Sequence, residues 1–131
     1  MSLRHHIRGA VSVVASLAAL LFGAGLATAP GAAAAYADCS SGAICFFSEK
    51  DGGGSRCQYY NDTPRTSCDF MNDGRTTWSV YNRSAVRVHY YMDANYGRRI
   101  GSTLSGVSGN LSGSYTVGSV CFEDSGSSCP R

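Results

Sequence analysis

Six cysteines are the strongest chemical signal in this chain: Cys39, Cys45, Cys57, Cys68, Cys121 and Cys129. An even set within a short stretch behind an export-type N-terminus reads as three disulfides. The local solution pairs Cys39 with Cys45, Cys57 with Cys68 and Cys121 with Cys129. Each bridge then closes a short loop and contributes about 2–3 kcal/mol. Zinc is the competing chemistry, but the spacings offer no paired C-x-x-C knuckles. Catalytic constellations are sparse. Past residue 37 there is one histidine, His89, between Val88 and Tyr90 on a predicted strand, which points it to solvent. A Ser-His-Asp site needs a histidine fixed by a carboxylate and touching a serine, and nothing marks one. Glu49, Asp51, Asp93, Glu123 and Asp124 are the carboxylates available for glycoside chemistry, and most fall in predicted turns. Gly52-Gly53-Gly54 is followed by neither Lys-Ser/Thr nor a helix, so it is turn glycine and not a phosphate cradle. The chain is not expected to be an enzyme.

Two binding chemistries remain. Asn72-Asp73-Gly74-Arg75-Thr76-Thr77 is a polar turn whose oxygens are of the hard kind that calcium takes; no other cofactor is implied. The segment between Cys57 and Cys68 carries Tyr59, Tyr60, Pro64 and Arg65. Pro64 stiffens it, and Tyr and Arg are residue types that anchor protein interfaces. A loop braced in this way loses little entropy on docking.

The elements that must position these residues belong to one small domain. Residues 1–37 read as a secretory signal peptide. Arg4, His5, His6 and Arg8 precede an apolar run from Val11 to Leu26, and Ala35-Tyr36-Ala37 is a small-x-small site before Asp38. Residues 38–131 form the expected mature domain, with a tail over 123–131. Of the 11 basic residues Arg4 and Arg8 leave with the leader, and nine remain against nine acidic ones. No basic stripe survives for nucleic acid or an anionic membrane. A secreted monomer is expected.

The domain reads as all-β. Val86-Arg87-Val88-His89-Tyr90 alternates, so Val86, Val88 and Tyr90 share a face. Further strands are predicted at Ile44–Phe47, Arg56–Tyr60, Trp78–Tyr81, Ile100–Leu104 and Val117–Phe122. Turns are predicted at Asp51–Gly54, Asn72–Gly74, Ser105-Gly106 and Ser112-Gly113. The chain also repeats. Ile44–Gly53 lies over Val88–Gly97 without a gap, and Trp78-Ser79-Val80-Tyr81 matches Gly118-Ser119-Val120-Cys121. Two copies of one unit, about 39–82 and 83–122, predict two Greek-key motifs packed as a sandwich.

This pattern resembles the βγ-crystallin Greek key, and more closely the Streptomyces metalloproteinase inhibitor family. The resemblance rests on Cys39-Ser40-Ser41-Gly42-Ala43-Ile44-Cys45-Phe46-Phe47, Asn72-Asp73, Ser79-Val80-Tyr81-Asn82, Val86-Arg87-Val88 and Asp93-Ala94-Asn95-Tyr96-Gly97. It implies a disulfide-stabilised βγ-crystallin-like sandwich that inhibits a secreted protease, with metalloproteases as the first target. The crystallin signature is an aromatic, four residues, a second aromatic, one residue, then glycine. Phe47 and Gly54 keep its ends in the first copy, where Gly52 replaces the second aromatic. Tyr91 and Tyr96 keep both aromatics in the second copy, where Arg98 replaces the glycine and Gly97 is expected to supply the left-handed turn. The family's reactive bond lies beside a disulfide in the second half. This sequence has no cysteine between His89 and Val120, so the Cys57–Cys68 loop is its own candidate. The alternatives are a calcium-binding crystallin-like module, for which the resemblance implies Asn72, Asp73, Thr76 and Thr77 as ligands, and a glycan-binding or antimicrobial wall protein using an exposed row among Tyr59, Tyr60, Tyr81, Tyr90, Tyr91, Tyr96 and Tyr115.

Overall fold

Short β-branched and aromatic runs separated by glycine turns fold into seven strands among the described residues. The computed structural model describes residues 35–124, 126 and 128–131. Most of the expected leader, residues 1–34, lies outside the described residues. The strands are β1 (Ile44–Phe47), β2 (Arg56–Tyr59), β3 (Thr77–Asn82), β4 (Arg87–Tyr91), β5 (Arg99–Thr103), β6 (Ser108–Tyr115) and β7 (Ser119–Glu123). One helical turn, α1 (Asp69–Asn72), follows the Cys57–Cys68 loop. The strands form two antiparallel sheets, ordered β2-β1-β3-β6 and β5-β4-β7. Between them lies the core of Ile44, Phe46, Val80, Val88, Tyr90, Val117, Val120 and Phe122. Val88 and Tyr90 face it together, as the alternation requires, and Val86 packs against its rim.

The sheets exchange their third strands. β6 comes from the second copy yet pairs with β3 of the first. In return Thr63, from the first copy, bridges Val120 of β7. Two Greek keys therefore interlock in the βγ-crystallin-like sandwich that the repeat and the resemblance lead one to expect. Ser112-Gly113, expected as a turn, lies inside β6. That strand carries mostly serine, glycine and asparagine at the sheet's edge, so it has no apolar alternation to announce it. Ser105-Gly106 is the true turn, with Gly106 at φ 75°.

The repeat holds atom by atom. Asp51, Gly52 and Gly54 have φ of 55°, 76° and 73°; Asn95, Tyr96 and Arg98, 44 residues on in each case, have 56°, 63° and 42°. Ser79 Oγ donates to Glu49 O (2.6 Å) and accepts from Gly52 N–H (2.9 Å). Ser119 Oγ donates to Asp93 O (2.6 Å) and accepts from Tyr96 N–H (2.9 Å). Each folded hairpin is thus clamped to its last strand by one buried hydroxyl. Gly97 does not supply the left-handed turn: its φ is −82°, and Arg98 takes that conformation itself. The requirement is set by position in the hairpin, so a glycine one place early does not meet it.

The three disulfides are the local pairs Cys39–Cys45, Cys57–Cys68 and Cys121–Cys129. The first and third staple the chain ends over the sheets' outer faces. Tyr36, Cys39, Ala43, Cys45 and Phe47 cluster on one face; Tyr91, Cys121 and Cys129 cluster on the other.

Candidate functional site

The Cys57–Cys68 segment has too few apolar residues to pack as a core strand and is held by its backbone. Thr63 N–H donates to Val120 O (2.8 Å) and Val120 N–H to Thr63 O (2.9 Å). Three residues on, Thr66 N–H donates to Gly118 O (2.9 Å) and its hydroxyl to Val117 O (2.5 Å). Asp62 Oδ1 accepts from Phe122 N–H at 2.7 Å. Pro64 and Arg65 are left as an exposed bend between two pins. The carbonyl of Pro64 accepts from Asn95 N–H (2.7 Å), tying the bend to the second hairpin. Asp51 N–H, the equivalent atom of the first hairpin, reaches across to Asn110 Oδ1 of β6 (2.7 Å). The bend is therefore the third strand of the first key, shortened and pushed outward.

Of the four residues expected at this surface, the structure presents three. Tyr60 is 49 % exposed and borders an open groove with Asn61, Asp62, Val86, Phe122 and Asp124. Pro64 and Arg65 are exposed, and among the described residues no hydrogen bond or ion pair holds the Arg65 guanidinium. Tyr59 is turned inward, its ring 6.2 Å from that of Phe46, because β2 places it on the core side of the sheet. Burial pushes its phenol above the ordinary range. Its hydroxyl is buried toward Thr66 and makes no hydrogen bond among the described residues. Tyr59 is not available as a contact.

The other candidate residues are not gathered into a site. Asn72 and Asp73 are exposed at the end of α1, and Asp73 faces Arg75 at 3.8 Å. Thr77 is fully buried, its hydroxyl toward Met71 Sδ. His89 is buried, not solvent-facing: it is 7 % exposed. It lies on the outer face of its sheet, as alternation predicted. That face is covered by the C-terminal tail, stapled at Cys129 and held by the Tyr91 hydroxyl on Pro130 O (2.6 Å). His89 Nε2 meets Glu123 Oε2 at 2.9 Å, while Nδ1 is buried without a partner. No serine hydroxyl bonds it among the described residues. The His89 hydrogen bond holds the Glu123 carboxyl below its usual range, and two hydrogen bonds from Arg98 do the same for Asp93. The tyrosines form no exposed row; of the seven, Tyr60 alone is exposed.

Residues 32–103 match peptidase inhibitor family I36. The chain belongs to that family. The match takes in the whole first copy, the Pro64–Arg65 bend and the second hairpin. No curated protein matches the sequence. Among solved structures, geodin, a βγ-crystallin from Geodia cydonium, is similar with a TM-score of 0.48 and 18 % identity, over 63 % of this chain and 49 % of geodin. The chain thus spans about half of geodin's length. The family is one of peptidase inhibitors, and three disulfides fit an extracellular protein.

Proposed function

We propose that the chain inhibits a secreted protease by presenting the Thr63–Thr66 bend to the active-site cleft, with Arg65 entering the enzyme's primary specificity pocket. The observation that carries this is the two-sided pinning of the bend, by Thr63 to Val120 of β7 and by Thr66 to Gly118 and Val117 just before that strand. A loop already fixed gives up little conformational freedom on docking, and it leaves the enzyme slowly. Arginine at the tip is a hot-spot residue. A pocket that takes a guanidinium needs a carboxylate at its base, which favours trypsin-like serine proteases. Metalloproteases remain the target implied by the family resemblance. The groove beside Tyr60 is placed to take a flanking side chain of the enzyme.

The test is a panel of serine and zinc proteases titrated with the wild-type chain, Arg65→Ala and Arg65→Lys. Wild type is expected to inhibit trypsin-like enzymes at micromolar concentration or below. Arg65→Ala is expected to weaken inhibition by about 30-fold or more, and Arg65→Lys by much less. No inhibition across the panel retires the inhibitor reading for this chain. Inhibition indifferent to Arg65 retires the bend and leaves the family role standing.

A further inference from the structure

The first hairpin lacks an aromatic, and the chain supplies it from elsewhere. In the second copy, Tyr96 packs edge-on against Tyr91, centroids 5.6 Å apart at 73°. The matching positions in the first copy are Gly52 and Phe47. Phe47 still has an aromatic partner: Tyr36 lies edge-on to it, 5.4 Å away at 86°. The Tyr36 ring occupies the space a side chain at residue 52 would enter, and a Cβ built on Gly52 would meet it at 2.7–2.9 Å. Tyr36 also packs edge-on to Tyr81 at 5.7 Å and is 7 % exposed. Its carbonyl accepts from Cys39 N–H (3.1 Å), and Cys39 is clamped by its disulfide and by Arg83 Nη1 on its carbonyl (2.6 Å). Edge-on aromatic pairs of this kind are among the stronger apolar contacts. Tyr36 therefore belongs to the folded domain.

A leader ending at Ala37 would discard it. We propose that the export leader is instead removed on the N-terminal side of Tyr36, at the Ala35–Tyr36 bond. Ala33-Ala34-Ala35 meets the small-x-small requirement there as well as Ala35-Tyr36-Ala37 does one step on. Water adds across that amide. Ala35 departs with a new carboxylate, and Tyr36 keeps the nitrogen as its α-amino group. The inference rests on the leader reading and is independent of any inhibitory activity.

The experiment is the intact mass and N-terminal sequence of the protein exported by a bacterial host from the full 131-residue chain. A mature start at Tyr36 is expected. A start at Ala37 or Asp38, or an uncleaved product, overturns the proposal; a start upstream of Tyr36 overturns the bond while keeping the residue. Stability supplies the second measurement. Tyr36→Ala is expected to lower Tm by on the order of 10 °C or more, with part of the loss recovered in Tyr36→Ala/Gly52→Tyr, since Tyr96 shows that a tyrosine tolerates this backbone. A Tyr36→Ala protein that melts within a degree or two of wild type, as Asp38→Ala should, overturns the role given to the ring.

Discussion

Arg98 stands in the second hairpin where Gly54 stands in the first, at φ 42° against 73°. Glycine adopts that backbone without strain; a side chain bearing a Cβ does not. Arg98 compensates by donating two hydrogen bonds to Asp93, from Nε at 2.7 Å and Nη2 at 2.6 Å. Removing the guanidinium while keeping the Cβ leaves only the strain. Arg98→Gly should therefore melt above Arg98→Ala by on the order of 5 °C, as differential scanning calorimetry would show. Equal melting temperatures would mean that the hairpin relaxes and stores no strain at this residue.

Ser79 and Ser119 are fully buried, and each ties a hairpin N–H and a carbonyl to the following strand. Alanine at either position strands two buried polar groups, at a cost of about 2–3 kcal/mol. The two clamps belong to different hairpins and share no partner. The double variant should lose close to the sum of the single losses in urea melts. A double variant no worse than either single would show that the hairpins do not act as separate units.

These clamps explain which parts of the molecule were legible from sequence. The repeat could be read because Ile44–Gly53 and Val88–Gly97 carry the same geometry, with two left-handed residues at matching places in each. The cystine pairs could be read because each closes a short loop. The inward turn of Tyr59 could not, because β2 has no clean alternation. His89 was assigned to the correct face, but alternation says nothing of a tail that later folds over that face. The bend at Pro64 read as a braced connection. That its pins are a β-bridge to Val120 and a backbone bond to Gly118 depends on residues more than fifty positions away, which no local pattern encodes. Tyr36 was hidden by the leader signal lying across it.

Glu123 and Asp93 titrate below their unfolded values in the folded chain, through His89 and Arg98 respectively. As pH falls, the unfolded state takes up these protons first. The stability their pairings contribute is present above the ordinary carboxylate range and is lost as pH drops through and below about 4. Wild type should therefore exceed Glu123→Gln in Tm near pH 6, with the gap narrowing toward pH 3. A gap that widens on acidification would reverse the assigned direction.

Calcium binding between Asn72 and Thr77 is open to a direct test. Asp73 is engaged with Arg75, and the Thr77 hydroxyl is sealed inside against Met71, so the oxygen ligands do not converge as calcium requires. Millimolar calcium is expected to leave Tm unchanged within about a degree. A clear rise would reveal a native-state site by mass action.

The Cys57–Cys68 bridge spans eleven residues and encloses the Pro64–Arg65 bend. Its main effect is on the unfolded chain, where closing such a loop is worth about 2–3 kcal/mol. In the folded state the bend is held by the backbone bonds of Thr63 to Val120 of β7 and of Thr66 to Gly118 just before it, which do not pass through either sulfur. Cys57→Ser/Cys68→Ser should thus lower stability by about that amount while weakening protease inhibition less than tenfold, well short of Arg65→Ala. If inhibition instead collapses while Tm barely moves, the disulfide and not β7 is what shapes the bend, and the pinning argument for the inhibitory surface is wrong.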